Sequence, residues 1–190
     1  MSTRDRRERE RAEREQLIID VAQDLAEAEG WDAVTTRRLA ERVEYSQPVL
    51  YSHFTSKDAI VRAVALRGFG MLADELHAAR TSYPKTMDSL RAVADAYLRF
   101  AKARPALYEA MFVRDVAIAF GTDDAPPEPR AAFGEIVAAL EPVAIPSALE
   151  TYAEVFWSAL HGTASLARRK RLRPEYHLAR MDLMMTKLFR

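Results

Sequence analysis

The 190-residue chain contains no cysteine, which excludes disulfides, thiolate metal sites, iron–sulfur clusters and thiol nucleophiles together. Glycine is scarce at 6 residues and proline modest at 9, too few turn formers for a loop-rich sandwich or barrel. No apolar run approaches the roughly 18 residues of a membrane-spanning helix. The opening stretch MSTRDRRERERAEREQ lacks the apolar core of a secretory signal. Net charge is missing as well, because 28 Lys+Arg balance 28 Asp+Glu, so no overall positive field points to nucleic acid. Catalytic signatures are lacking: there is no Gly-rich phosphate loop, no Gly-x-Ser-x-Gly, no His-Glu-x-x-His and no clustered metal-ligand spacing. The expectation is a cytoplasmic protein that is not an enzyme, with no cofactor, no metal and no membrane partner.

What is present is helix. At 49% apolar and 29% charged the chain has the composition of a folded globular protein, long enough for one large domain or two small ones. Residues 1–15 alternate Arg with Glu or Asp, as a solvated arm or the frayed polar start of a helix would. From Leu17 a stripe of Leu17, Ile18, Val21, Leu25 and Ala26 follows the helical period, and Gly30 supplies a stop. Helices then fit about 36–43, 47–53 and a long span from 57, with Ser46 and Thr55-Ser56 as caps and Pro48 in the first turn. Prolines divide the remainder into about 86–104, 105–113, 128–141, 147–169 and 174–189, with one clear loop at 121–129. No stretch alternates with period two. The spacing predicts an all-α chain of about nine helices, with a three-helix domain over 16–62 and a larger helical domain over 63–190.

Helix, turn of about four residues and short helix is the spacing of a helix-turn-helix, in which the second helix enters the DNA major groove. Val49 and Leu50 can pack inward on Leu39, Ala40 and Val43, leaving Gln47, Pro48, Tyr51, Ser52 and His53 at the exposed end. Gln can read an adenine edge with two hydrogen bonds, and a proline or tyrosine ring can touch a thymine methyl. Thr36, Tyr51, His53 and Lys57 carry donors suited to phosphate oxygens, which set register without reading sequence.

At these residues the chain resembles the TetR family of transcriptional regulators. The likeness rests on Thr35-Thr36-Arg37-Arg38-Leu39-Ala40, Ser46-Gln47-Pro48-Val49-Leu50-Tyr51-Ser52-His53-Phe54 and Ser56-Lys57-Asp58, and is tight over about 16–65. It implies Arg37 and Gln47 as base readers, Pro48 as an apolar contact, and Thr36, Tyr51, His53 and Lys57 as phosphate contacts. One departure matters. Glu44 stands where the family usually has the turn glycine, and would need either a left-handed backbone, costly for a residue with a Cβ, or an altered turn. The stretch Phe156-Trp157-Ser158-Ala159-Leu160-His161-Gly162 is similar to the Trp-x-x-x-His-Gly signature of one group of TetR C-terminal domains. That likeness implies a homodimer through the last two long helices and a small-molecule pocket in the remainder. The implied activity is repression from a near-palindromic double-stranded operator, relieved by an apolar or aromatic effector.

Several residues keep two readings. Met71, Tyr97, Phe100, Tyr108, Met111, Phe112 and Phe133 fit either a core or the border of an effector pocket, and Trp157 with His161 share one helix face that fits both. Trp31 reads as core. Arg168-Arg169-Lys170-Arg171 opens a segment, 168–190, with 8 basic and 2 acidic residues, and reads as a solvated helix end. Glu44 and the balanced charge leave open a helical ligand-binding or adaptor protein that has lost sequence-specific DNA binding.

Overall fold

The computed structural model describes residues 3–84, 87–122 and 124–188. Residues 86, 123 and 189 of the expected helix and loop spans therefore lie outside it. Among the described residues there are nine α-helices, three single-turn 3-10 segments and no strand, as the helical period requires. The helices are α1 (Thr3–Glu29), α2 (Thr36–Arg42), α3 (Gln47–His53), α4 (Lys57–Thr81), α5 (Met87–Ala103), α6 (Pro105–Phe112), α7 (Pro127–Leu140), α8 (Leu149–Arg168) and α9 (His177–Leu188). None among the described residues is long and apolar enough to cross a membrane.

The Arg/Glu arm is helix from Thr3 onward. Arg4–Glu8 at 2.9 Å, Arg6–Glu10 at 3.6 Å and Arg11–Glu15 at 2.8 Å each span one turn. Such exposed pairs contribute only a few tenths of a kcal/mol each. The polar half of α1 persists because the following half, with Ile18, Ala22, Leu25 and Ala26 buried, is anchored in a core. Gly30 ends the helix at φ 84°, with its N–H donating to the Ala26 carbonyl at 2.8 Å.

The helices form two compact units. The first takes the chain up to Gly68 together with 104–118; the second takes Phe69–Ala103 and the chain from Ala119 onward. α6 is thus grouped with the N-terminal helices. The reason is a set of long-range contacts. Glu27 on α1 accepts from the backbone N–H groups of Ala106 at 3.0 Å and Leu107 at 2.9 Å, and the buried indole N–H of Trp31 donates to the Ala106 carbonyl at 2.8 Å. Arg104, at the N-cap of α6, offers no side-chain cap, so a carboxylate from α1 satisfies the first free N–H groups instead. α6 also approaches α4 at Gly68, where a Cβ would lie 2.7 Å from Met111 Sδ and 2.8 Å from Leu107 Cδ1. A side chain at this position would oblige Met111 and Leu107 to shift.

In the second unit α5, α7 and α8 pack pairwise and α9 lies on α8. α5 buries Leu90, Val93, Ala94, Tyr97, Phe100 and Ala101, α8 buries Ala153, Phe156 and Leu160, and α9 turns Met181 and Met185 inward. Glu135 on α7 accepts from Arg80 Nε at 2.7 Å and lies 3.0 Å from His77 Nδ1, both on α4. Burial pushes its carboxyl up, but the hydrogen bonds from Arg80 and His77 outweigh this and hold it below the usual range.

Candidate functional site

The helix-turn-helix is assembled from caps and one strained turn. Thr35 caps α2, its Oγ1 accepting from the Arg38 N–H at 3.2 Å, and Ser56 caps α4 by accepting from the Ala59 N–H at 3.1 Å. Ser46 stands at the N-cap of α3, but its hydroxyl makes no cap hydrogen bond there. Pro48 in the first turn costs no donor. Between the helices Glu44 takes φ 57°, the left-handed conformation its position demands, and the Tyr45 N–H reaches back to the Ala40 carbonyl at 2.9 Å. This is the 6→1 closure that usually recruits glycine. Lys170 at φ 55° closes α8 in the same way, with the Arg171 N–H on the Leu166 carbonyl at 2.9 Å. Glu44→Gly is therefore expected to stabilise the protein by about 0.5–1 kcal/mol, partly offset by the looser unfolded chain. A urea midpoint unchanged or lowered by the substitution would show that the turn carries no strain.

α3 divides cleanly. Leu50 is fully buried against α2, while Gln47, Pro48, Tyr51 and Ser52 are exposed. Val49, expected to pack inward beside Leu50, is 40% exposed and stands on the outer face. Adjacent residues on a helix diverge by about 100°, and here Leu50 takes the inward direction. Val49 thus adds an apolar side chain to the outer face of α3. Tyr51 Oη lies 3.5 Å from Thr36 Oγ1, which brings two hydroxyls from α3 and α2 together at the surface.

The basic residues have distinct partners. Arg38 turns back to α1, donating from Nη2 and Nη1 to Glu29 at 2.7 and 2.9 Å, and Arg42 lies 3.7 Å from the same carboxylate. Arg37 points to solvent and donates from Nε to Glu41 at 2.9 Å. Lys57 Nζ donates to the Trp31 carbonyl at 2.8 Å, which leaves two of its three protons free. The His53 side chain is only 7% exposed, and its Nδ1 lies 3.4 Å from Glu15 of α1, which ties α3 to α1. Hydrogen bonds from Arg11 and His53 lower the Glu15 carboxyl against a smaller opposing push from burial, the Arg11 bond being the largest influence.

The expected pocket residues separate between the two units. Tyr108, Met111 and Phe112 sit on α6 in the N-terminal unit, where Tyr108 and Phe112 stack at 4.8 Å between centroids. In the second unit Trp157 Nε1 donates to Tyr97 Oη at 3.1 Å, and Phe133 meets the indole edge-on at 6.1 Å. His161 Nε2 lies 3.3 Å from Ser165 Oγ, and burial pushes its pKa below the usual histidine value, favouring the neutral ring at pH 7. Tyr97 and Phe100 are buried, whereas Met71, Phe133, Trp157 and His161 are partly open. Among the described residues no group of three or more His, Cys, Asp or Glu could hold a metal ion.

Residues 18–64 match bacterial regulatory proteins of the tetR family, and residues 90–188 match the tetracyclin repressor-like C-terminal domain. The chain belongs to the TetR family. An uncharacterized HTH-type transcriptional regulator of Mycobacterium tuberculosis is 31% identical over 150 residues, which is 76% of this chain and 66% of that protein. One of Bacillus subtilis is 30% identical over 100 residues, 53% of this chain and 52% of its own length. The chain thus spans between half and two thirds of these curated relatives. The tetracycline repressor protein class A of Escherichia coli is 48% identical over 48 residues, 25% of this chain and 22% of that repressor.

Solved TetR-fold structures agree in architecture. A protein of unknown function from Rhodococcus sp. RHA1 superposes with a TM-score of 0.75 at 23% identity, covering 93% of this chain and 95% of that one. A TetR variant from Acinetobacter baumannii AYE, in complex with minocycline, gives 0.62 at 22% identity over 90% and 92%. At these identities the likeness shows the TetR fold. The fold is accordingly that of the TetR family, with a helix-turn-helix in the N-terminal unit.

Proposed function

We propose that the protein is a homodimeric repressor that reads a near-palindromic operator and leaves it when a small apolar or aromatic molecule binds the C-terminal unit. The observation that carries the DNA reading is α3, with Leu50 fully buried and Gln47, Pro48, Val49, Tyr51 and Ser52 outward beside the exposed Arg37 of α2. Gln47 and Arg37 supply the hydrogen-bonding geometry for adenine and guanine edges, Pro48 and Val49 apolar contact with thymine methyls, and Thr36, Tyr51 and Lys57 phosphate contacts. One seven-residue helix spans few base pairs, so a second copy related by a twofold axis is needed for a specific site. Leu178 and Leu183, both exposed on α9, are apolar side chains available to that copy. The effector reading rests on the partly open Trp157, Phe133 and His161, which offer aromatic surface and one neutral ring nitrogen. Release requires only that the ligand prefer a dimer geometry in which the two reading helices no longer match successive grooves. The protein acts in the cytoplasm beside its DNA and performs no catalysis.

The experiment is selection of bound sequences from a random DNA pool by the purified protein at fixed, near-physiological salt. The expected product is a near-palindrome with half-sites about one helical turn apart. A folded protein that enriches no sequence would overturn the reading and favour a ligand-binding or adaptor protein.

A further inference from the structure

α2 carries three arginines with opposite commitments. Arg38 and Arg42 face Glu29 on α1 and hold the two helices together. Arg37 is the outward one, and among the described residues its single hydrogen-bond partner is Glu41, one turn along the same exposed face. We infer that Glu41 is a positioning residue for DNA reading, whose carboxylate holds the Arg37 guanidinium by Nε so that its two Nη groups meet a guanine edge end-on. This inference rests on the proposed role of Arg37 as a base contact.

The chemistry follows from the shape of the guanidinium. Its planar fork can present either the Nε/Nη edge or the Nη/Nη end to a pair of acceptors. A carboxylate accepting from Nε at 2.9 Å occupies the first of these. The end remains, and its two donors match the O6 and N7 acceptors of guanine in the major groove. An exposed pair of this kind adds almost nothing to folding stability, so the free protein gains little from it. A bound complex gains more. The arginine arrives with part of its rotamer freedom already restricted, and the pair strengthens as water leaves the groove.

Glu41 also acts against wrong sites. Its charge offsets that of Arg37, which weakens attraction to the phosphate backbone of any sequence. Bonds to a correctly placed guanine are retained. Discrimination thus rises both by favouring one base and by disfavouring non-specific contact. A purely structural residue would instead lower specific and non-specific binding together.

The test uses the full chain, its selected operator and operators changed one base pair at a time, at fixed salt. Arg37→Ala identifies the pair that Arg37 reads, as the position where discrimination falls about tenfold or more. Glu41→Ala is expected to leave the melting temperature unchanged and to raise affinity for non-specific DNA about two- to threefold. At the Arg37 pair it is expected to cut discrimination about fivefold. Glu41→Gln, whose amide oxygen still accepts from Nε, is expected to restore most of that discrimination while non-specific affinity stays raised. If Arg37→Ala loses discrimination and Glu41→Ala does not, or if Glu41→Ala weakens all DNA equally, the positioning role falls while Arg37 stands as a base reader. If Arg37→Ala alters discrimination at no position, the reading of Arg37 fails, and the role of Glu41 with it.

Discussion

Trp31→Ala is expected to destabilise the protein by about 3–5 kcal/mol, the range for removing a large buried aromatic. Trp31 is 2% exposed, and its N–H satisfies the Ala106 carbonyl 75 residues away. Truncation therefore opens a cavity and also removes one hydrogen bond to a carbonyl that keeps its partner within α6, a further cost of about 0.5–1.5 kcal/mol. Arg114 adds to the same corner, its guanidinium 5.9 Å from the indole centroid and 3.2 Å from Glu109. Trp31→Phe separates the contributions, because it keeps most of the packing and removes only the donor. Glu27→Ala attacks the same helix end by freeing the Ala106 and Leu107 N–H groups. The Trp31/Glu27 double variant should consequently fall short of additive. Urea unfolding reads all four proteins, and a Trp31→Ala cost below 1 kcal/mol would refute the role given to the indole in holding α6.

The second large effect concerns assembly. Leu178 is 76% exposed and Leu183 60% exposed on α9, while Met181 and Met185 between and beyond them are buried. A side chain already in water contributes little to folding, so Leu178→Asp with Leu183→Asp should leave the protomer folded, with stability within about 0.5 kcal/mol per site. If the two leucines meet a second copy, each aspartate places an unpaired charge in an apolar interface. The double variant is then expected to be monomeric by light scattering. Its operator affinity should fall about a hundredfold or more, since each reading helix must bind without the effective concentration its partner supplies. A variant that remains dimeric and binds its operator normally would move the interface elsewhere.

Much of the molecule could be read from local spacing. Apolar residues at helical period mark α1, α5 and α8, and the prolines and caps divide the chain near Arg104, Pro127 and Pro174. The α2–turn–α3 spacing was legible because a helix-turn-helix is defined within about twenty residues. Glu44 is the sharpest case. Its position after α2 left a left-handed residue or an altered turn, and its φ of 57° is the first of these. All these features depend on contacts between residues a few positions apart, where backbone geometry leaves few solutions.

What the tertiary structure decided is which distant groups meet. Trp31 read as a core aromatic, yet with Glu27 it caps and holds α6, nearly eighty residues on. That capture groups Tyr108, Met111 and Phe112 with the N-terminal unit. His53 Nδ1 lies beside Glu15 of α1, and Lys57 spends one proton on the Trp31 carbonyl. A motif states which residue types stand at which spacing, and local hydrogen bonding suffices to turn that into helices and turns. The partner that a polar side chain finds across the fold depends on which buried groups would otherwise be left without one, and only the packed chain determines that.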